Sequence, residues 1–344
     1  MDIRVPFDEL YGALQVAMLR LGFAPERAAL CARLFAETTR DGVYSHGLNR
    51  FPRFRETIRN GSVMVSAAAE KTGGVGAFER WTGHRAAGNL SAHAAMGRAI
   101  ELAKVHGMGC VALRDTNHWM RGGTYGWQAA DAGMIGMCWT NTMPNLVPWG
   151  AVERGIGNNP IVMAVPRVNG AHVVLDMAVS QYSFGSISGY IARGEHLPVD
   201  GGYDAVGNIT RDPQTIENSQ GGLPIGYWKG SGLSVLLDMT AAILSAGRAS
   251  YELKGDPTRE SGQSQVFVAF DVKCFGDSEG ETQAAGAERI ANEIVDALHA
   301  VKGRDGKQPR YPGEQTLKLR TENMRLGVPV VEERWKEVLE LAAL

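Results

Sequence analysis

The chain of 344 residues predicts an α/β fold, with helices from both ends of the sequence packed together beside it. From about residue 75 onward, apolar runs of strand length alternate with longer segments whose apolar residues recur at helical spacing, as is typical of α/β proteins. The N-terminal and C-terminal segments are helical in pattern. We therefore expect a helical subdomain that is discontinuous in sequence, built from residues 1–75 with 315–344, and an α/β domain over 76–314.

The N-terminal segment predicts two helices followed by a turn. Leu10, Leu14 and Leu21 lie on one helical stripe over residues 7–21. Pro25, a residue favoured in the first helical turn, begins a second helix over 26–39. The segment with His46 follows, and we expect it on the next helix or on the turn that leads into it.

The remaining elements alternate along the chain. Helices are predicted over 89–106, 124–132, 230–247 and 281–301, and strands over 109–114, 134–140, 161–165, 172–178 and 264–271, before two closing helices. Residues 201–222 are rich in Gly, Asp, Asn and Pro. We expect an irregular segment there, either a long loop over the mouth of an active site or an exposed insertion.

Composition excludes several classes of protein. The formal net charge is -2 and the sequence pI is near 6.5, so a nucleic-acid-binding surface is not expected. The four cysteines form no C-x-x-C pair, and the histidines lack the spacing of a metal site, so neither a disulfide framework nor a metal site is predicted. The N-terminus lacks the apolar core of a signal peptide, and no apolar run reaches membrane-spanning length. We expect a cytoplasmic protein with no membrane or nucleic-acid partner.

The most informative segment runs from residue 39 to residue 54 and contains Tyr44, His46 and Arg50. If residues 45–51 are helical, His46 and Arg50 project from the same face. An imidazole can transfer a proton at neutral pH, and a guanidinium can hold a carboxylate through two hydrogen bonds. The pair therefore suits a 2-keto acid, although on spacing alone a solvated basic turn is the simpler interpretation.

A second cluster lies at residues 115–127, directly after a predicted strand and before a predicted helix, where ligands collect in α/β proteins. It contains Asn117, His118 and Arg121, and Gly122 and Gly123 allow the backbone to approach a ligand. The start of the following helix favours an anion. His118 could equally cap the turn. Two clusters of His and Arg in separate segments nevertheless favour a shared pocket.

Familiar nucleotide and hydrolase motifs are missing from this sequence. No G-x-G-x-x-G follows a strand, and neither G-x-x-x-x-G-K-[ST] nor G-x-S-x-G occurs. A dinucleotide would therefore need a scaffold other than an ordinary Rossmann fold. Asp176, near the end of a strand, either binds a ribose hydroxyl or caps the next helix. Lys229, at a glycine-flanked helix entrance, either reaches phosphate oxygens or lies exposed beside Trp228.

Three blocks of the chain resemble the malate/L-lactate dehydrogenase type-2 family. They are residues 42–54, 117–123 and 227–232, which occur in the order and spacing of the family, and the similarity runs from about residue 5 to the C-terminus. The resemblance implies a non-Rossmann nicotinamide-binding α/β domain with a mixed β-sheet, flanked by a helical subdomain, in a homodimer. The implied cofactor is NAD, with NADP also open.

The resemblance also implies residue roles. His46 matches the family's proton donor, and His118 matches a histidine that relatives use as an acid/base group. We place Tyr44, Arg50, Asn117 and Arg121 in the substrate pocket. The segments that match the cofactor-contacting parts of the family, together with Thr142 as an additional candidate, are His172, Val173, Val174, Leu175, Asp176, Met177, Ala178, Trp228, Lys229, Gly313, Glu314 and Gln315.

These residues predict reversible hydride transfer between a nicotinamide and a small 2-keto or 2,3-diketo carboxylate. A sugar acid suits the polar pocket. Ureidoglycolate, lactate or malate would fit the same fold, and so would a cyclic imino acid whose C=N bond is reduced. A non-catalytic protein that binds sugar acids is the alternative from a different class.

Overall fold

The computed structural model of this protein describes residues 2–253, 256–274 and 283–343. The helices of this part of the chain are α1 (Phe7–Arg20), α2 (Pro25–Arg40), α3 (Phe51–Arg59), α4 (Gly88–His106), α5 (Gly123–Asp131), α6 (Phe184–Arg193), α7 (Pro213–Ser219), α8 (Trp228–Ser245), α9 (Gln283–Ala300), α10 (Glu314–Leu326) and α11 (Glu332–Ala343). The strands are β1 (Asp2–Val5), β2 (Glu70–Val75), β3 (Phe78–Thr82), β4 (Met108–Thr116), β5 (Met134–Thr140), β6 (Ile161–Val165), β7 (Val173–Met177), β8 (Gly202–Tyr203), β9 (Ile209–Thr210), β10 (Gly221–Gly222), β11 (Gln263–Asp271) and β12 (Val328–Val331).

A seven-stranded sheet in the order β2-β3-β4-β11-β5-β6-β7 forms the centre of the fold. Strands β3 and β4 are parallel, whereas the other neighbours are antiparallel, so the predicted mixed sheet is confirmed. The side chains of β11 alternate between the two faces: Phe267 packs in the cluster under α4 and α5, and Val266 packs in the cluster under α8. Because both faces are covered, β11 is almost entirely buried.

Residues from both ends of the chain share one hydrophobic cluster. Leu14 of α1 and Phe35 of α2 pack with Trp335 and Val338 of α11, and the terminal strands β1 and β12 pair antiparallel. Phe54 of α3 joins the same cluster. The exact division into the two predicted domains stays a prediction.

Most predicted elements are present within one or two residues. The strands predicted over 134–140 and 161–165 are β5 and β6 with those bounds. The predicted helix over 281–301 is α9 from Gln283 to Ala300, and its first two predicted residues lie outside the described part of the chain. No helix in the described ranges is both long enough and apolar enough to span a membrane.

The irregular segment predicted over 201–222 is wrong. It contains α7 and a three-stranded sheet in the order β10-β8-β9. Asp212 begins α7 because its carboxylate accepts hydrogen bonds from the backbone N–H groups of Gln214 and Thr215. The strands are only two residues long and consist partly of glycine, so their pairing leaves no pattern in the sequence.

His46 lies on the turn that leads into α3, as expected, but residues 45–51 do not form one continuous helix. Two single 3₁₀ turns, Tyr44–His46 and Leu48–Arg50, precede α3 and are separated by Gly47. Gly47 lies against α2, where a Cβ atom would come within 2.4 Å of Thr39 Oγ1. The same hydroxyl accepts a hydrogen bond from Leu48 N–H at 2.9 Å. This close packing interrupts the helix, so His46 and Arg50 are not related by one helical turn.

Candidate active site

The structure brings the two predicted histidines together. His46 ends the first 3₁₀ turn, and His118 lies in the loop between β4 and α5. Their rings are stacked, with centroids 5.8 Å apart and an angle of 19° between the ring planes. Two half-buried imidazoles thus face one space, from segments that are distant in sequence.

The His118 loop is held by backbone contacts. The Asn117 amide Nδ2 donates to the carbonyl oxygens of Ser62, Arg85 and Ala86 at 3.2, 2.8 and 2.9 Å. Gly88 lies so close that a Cβ atom would be 2.4 Å from the His118 carbonyl oxygen. Asn117 therefore fixes the loop through its amide nitrogen, while its buried Oδ1 atom has no partner.

Burial controls the charge of both histidines. It lowers the pKa of His46, and the Arg50 guanidinium lowers it further, whereas the carboxylate of Asp176 acts in the opposite direction. Burial also lowers the pKa of His118 well below the ordinary value of 6.5, and Arg50 adds to this effect. Both imidazoles are consequently neutral in the free protein at physiological pH, and the charged form is disfavoured more strongly for His118.

Hydrogen bonds orient the two rings. His118 Nδ1 accepts from the backbone N–H of Met120 at 3.0 Å, so the proton of the neutral ring is on Nε2. His46 Nδ1 is 2.9 Å from Ser45 Oγ, and either atom can donate, depending on the tautomer. In both rings Nδ1 is engaged and Nε2 is left for a ligand.

A narrow cleft lies beside His118. Its charged walls are Arg50, Arg53 and Glu260, and Phe54, Val63 and Met120 supply an apolar side. Burial lowers the pKa of Arg50 to about 10, and the charge of Arg53 contributes. Both guanidiniums remain cationic at neutral pH. The cleft can therefore hold a small carboxylate next to an imidazole.

Glu260 is the acidic member of this cleft. Its side chain is 12% exposed, and its Oε2 atom is 3.7 Å from Arg53 Nη2. Gln263 donates to Oε1 at 2.8 Å, and the backbone N–H of Met143 also donates to the carboxylate. Burial raises the pKa of Glu260, while Arg50 and Arg53 oppose that shift.

Arg121 does not line this cleft. Its Nη1 atom is 2.7 Å from Asp41 Oδ2, and Arg320 and Arg40 also donate to the Asp41 carboxylate. Asp41 is 2% exposed and Arg121 is 5% exposed. An ion pair with the end of α2 holds Arg121, and its charge contributes to the lowered pKa of His46. Its place in the substrate pocket stays a prediction.

Asp176 makes a contact that neither sequence interpretation anticipated. Its Oδ2 atom accepts from the backbone N–H of Gly123 at 2.7 Å, so it caps α5. The helix that follows it, α6, is capped by Ser183 instead. A carboxylate already occupies the N-terminus of α5, which removes the predicted anion site there. Asp176 is otherwise exposed and lies near enough to His46 to influence its charge.

The predicted cofactor segments gather along β7, which is the edge strand of the sheet. Gly313 lies against this strand with a φ of +95°, and a Cβ atom there would be 3.2 Å from Val174 N. The start of α8 is nearby, because Ile225 N–H donates to the Val179 carbonyl oxygen. Trp228 is 63% exposed, and the Lys229 ammonium lies 6.0 Å from the centroid of its ring.

The side chains of three other cofactor candidates are held by neighbouring protein groups. His172 Nδ1 accepts from Arg167 N–H, and its Nε2 lies 3.0 Å from Asp131 Oδ1, so only its backbone is left for a cofactor. Thr142 Oγ1 bonds to Asn158 Oδ1 at 2.9 Å. Gln315 Oε1 accepts from Arg310 Nη1 at 2.8 Å. Glu314 begins α10.

Three residues of the site escaped the sequence analysis. Arg53 was within the informative segment, three positions after Arg50, and that spacing was the available signal. Glu260 and Asp41 carried no motif. Within the described residues, no group of three or more His, Cys, Asp or Glu side chains is arranged to bind a metal ion.

Comparisons with known proteins show what the whole chain is similar to. The family model described as malate/L-lactate dehydrogenase matches residues 5–339. A 2,3-diketo-L-gulonate reductase of Citrobacter koseri is 44% identical over 339 residues, covering 98% of this chain and 100% of the relative. The malate dehydrogenase structure from Pyrococcus horikoshii OT3 has a TM-score of 0.87 at 28% identity, covering 99% of this chain and 95% of that one. A sulfolactate dehydrogenase from Methanocaldococcus jannaschii has a TM-score of 0.90 at 25% identity, with 99% and 97% covered.

Proposed function

This chain belongs to the malate/L-lactate dehydrogenase family, which makes it a dehydrogenase or reductase acting on CH–OH groups, and we propose that it reduces 2,3-diketo-L-gulonate with a nicotinamide cofactor. The observation that carries the proposal is the stacked pair His46 and His118 beside the arginine-lined cleft. The substrate follows from the name of the relatives at 44% identity and from the polarity of the cleft.

The substrate carboxylate would bind at Arg50. Its guanidinium lies in the cleft with Arg53, and a planar guanidinium can hold a carboxylate through two hydrogen bonds. The apolar wall of Phe54 and Met120 would exclude water from the same space. This arrangement orients the keto carbon towards the histidines.

The two histidines would have different tasks. His46 delivers the proton to the developing alkoxide, because its pKa is lowered less than that of His118 and Asp176 supports its charged form. His118, neutral with its proton on Nε2, donates a hydrogen bond that polarises the carbonyl group. In the oxidation direction, neutral His46 would accept the hydroxyl proton.

The edge of β7 would hold the cofactor, and the residues there fit a dinucleotide. Gly313 packs on the backbone of β7 at Val174, and Trp228 and Lys229 offer an exposed aromatic ring and a cation for phosphate. A bound nicotinamide supplies the hydride. Our proposal is NAD, with NADP as the second arm of the test.

We also propose a homodimer that works in the cytoplasm. Leu236, Met239 and Ile243 form an exposed apolar stripe on α8, and such patches mark interaction surfaces. All four cysteines are free thiols, which suits a reducing compartment.

The direct test is cofactor oxidation followed at the nicotinamide absorbance, with 2,3-diketo-L-gulonate, pyruvate, oxaloacetate and piperideine-2-carboxylate, each with NADH and with NADPH. We expect the highest kcat/KM with 2,3-diketo-L-gulonate and NADH. Turnover of another acid only would contradict the substrate. Binding of sugar acids without any turnover would instead support the non-catalytic alternative.

A further inference from the structure

Glu260 has no role in the mechanism described above, yet it lies in the substrate cleft. It precedes β11, far along the chain from α3, and it lines the same cleft as Arg50, Arg53 and His118. Its side chain is largely buried, with an exposure of 12%. A carboxylate beside the arginines that would bind an anionic substrate weakens their attraction for that anion, so its presence calls for a specific function.

The neighbours of Glu260 keep it an acceptor. The Met143 N–H and the Gln263 amide both donate to it, and the guanidiniums of Arg50 and Arg53 face it. All four groups are donors, and a protonated carboxyl group would leave its own hydrogen without an acceptor among them. The Oε2 atom lies 3.7 Å from Arg53 Nη2 on the wall of the cleft.

The charges of the cleft match a monoanion. Two guanidiniums and one carboxylate leave one positive charge among the lining residues, since His118 is neutral. One substrate carboxylate balances that charge. A second carboxylate would lie in a partly desolvated cleft with Glu260, where like charges repel more strongly than in water.

We propose that Glu260 determines the substrate class of this enzyme by accepting hydrogen bonds from the hydroxyl groups of a sugar monocarboxylate and by excluding dicarboxylates. This inference rests on the proposed function, because it assumes that the substrate occupies the cleft beside His118. A polyhydroxylated monoacid satisfies both Arg50 and Glu260. Pyruvate satisfies only Arg50, and oxaloacetate places a second negative charge near Glu260.

The first test compares Glu260→Gln with the control Glu56→Gln, which removes the charge of an exposed carboxylate on α3. We expect Glu260→Gln to lower kcat/KM for 2,3-diketo-L-gulonate roughly 10-fold and to raise it for oxaloacetate by a similar factor, as for loss of one hydrogen bond to a charged group. Pyruvate, which makes no hydrogen bond to Glu260, should gain from the stronger attraction of the arginines, but by less than oxaloacetate. Glu56→Gln should resemble the wild type with all three acids.

The second test does not depend on a folded variant or on turnover. Calorimetry with the wild-type protein and oxidised cofactor would compare D-gluconate with D-glucarate, which differ by a terminal carboxylate. We expect gluconate to bind at least 10-fold more tightly. The repulsion between Glu260 and the second carboxylate of glucarate should cost more free energy in a desolvated cleft than one hydrogen bond contributes.

The outcomes separate the two proposals. If wild-type protein reduces no keto acid, the proposed function fails, while the gluconate preference still reports on Glu260. If it reduces the sugar acid but Glu260→Gln leaves the ratio of oxaloacetate to sugar-acid kcat/KM within 2-fold of the wild type, the role of Glu260 is overturned. Glucarate binding as tightly as gluconate would overturn it independently.

Discussion

His46 and His118 have nearly parallel rings 5.8 Å apart, and two positive charges at that distance would repel each other. The lowered pKa values of both groups prevent this in the free protein. Because Asp176 favours only the charged form of His46, the pair divides into one ring that can gain a proton and one that stays neutral.

This difference predicts the pH dependence of reduction. The required form of His46 is protonated, so kcat/KM for reduction should be highest at low pH and should fall as pH rises through a pKa below 6.5. Oxidation should show the opposite trend. Initial rates of reduction and of oxidation, measured across pH with a control for cofactor stability, would show both pH dependences.

Substitution separates the two rings. His46→Ala should lower kcat by about 10²–10⁴-fold, as expected for loss of a general acid. It should also abolish the pH limb, which is the fall in kcat/KM for reduction as the pH rises. His118→Ala should lower kcat less and retain the limb. His106→Ala, which removes an exposed imidazole at the end of α4, is the control. A retained limb in His46→Ala would show that another group donates the proton.

The carboxylate of Asp41 joins the C-terminal end of α2 to the middle of α10 and to the segment just before α5. Burial would raise the pKa of Asp41, but hydrogen bonds from Arg320 and the charges of Arg121 and Arg40 outweigh it, and the pKa falls to about 2. Asp41 lies five residues before His46, and Arg121 lies three after His118. Their ion pair therefore connects the segments that carry the two histidines.

The Asp41 network predicts a pH-dependent stability. The depressed pKa of Asp41 adds about 2 kcal/mol to the free energy of unfolding at pH values above 3.8, the ordinary pKa of an aspartate. This contribution is lost as the pH falls towards 2. Asp41→Asn should lower the free energy of unfolding by about 3–5 kcal/mol at neutral pH, since it leaves buried arginines without a carboxylate. Urea denaturation between pH 7 and pH 2.5 would measure both effects.

A matched variant isolates the network. Asp296→Asn changes an exposed carboxylate on α9 and should unfold like the wild type at every pH. Asp41→Asn should lose less stability on acidification than the wild type or Asp296→Asn, because it has no carboxylate at position 41 to protonate. Equal acid sensitivity in all three proteins would contradict the role given to Asp41.

The apolar face of α8 concerns the assembly of the protein. Leu236 and Ile243 are 61% and 65% exposed, and they lie on one side of a helix whose other side covers the central sheet. Leu236→Glu combined with Ile243→Glu should convert the proposed dimer into monomers, because charges would be buried in the interface. Sedimentation velocity would measure the change.

The control for this prediction is Val105→Glu. Val105 is also an exposed apolar residue, but it lies on α4, on the opposite face of the sheet. It should sediment as the wild type. Unchanged sedimentation of the α8 variant, with a dimeric wild type, would move the interface to another surface.

Much of the fold was predictable because the signals are local. The segments that form β5, β6 and β11 are apolar over the length of a strand. They do not alternate between apolar and polar residues because both faces of the sheet are covered, and this made them easy to recognise. The helices α1, α2 and α4 likewise carry their own periodicity and end signals. Family membership followed from three blocks of residues that keep their order.

The rest depends on contacts between distant segments, for which one sequence has no signal. Gly47 interrupts the helix near His46 only because it packs on Thr39, and Asp176 caps α5 rather than the helix that follows it. Arg121 faces Asp41 instead of the cleft, and Glu260 enters the cleft from the segment before β11. Residue types and local sequence patterns were sufficient to single out the two histidines as candidates, and their roles stay predictions. Their stacking, their charges and the acidic wall of the cleft required the folded chain, because burial and neighbouring charges exist only after distant segments have packed.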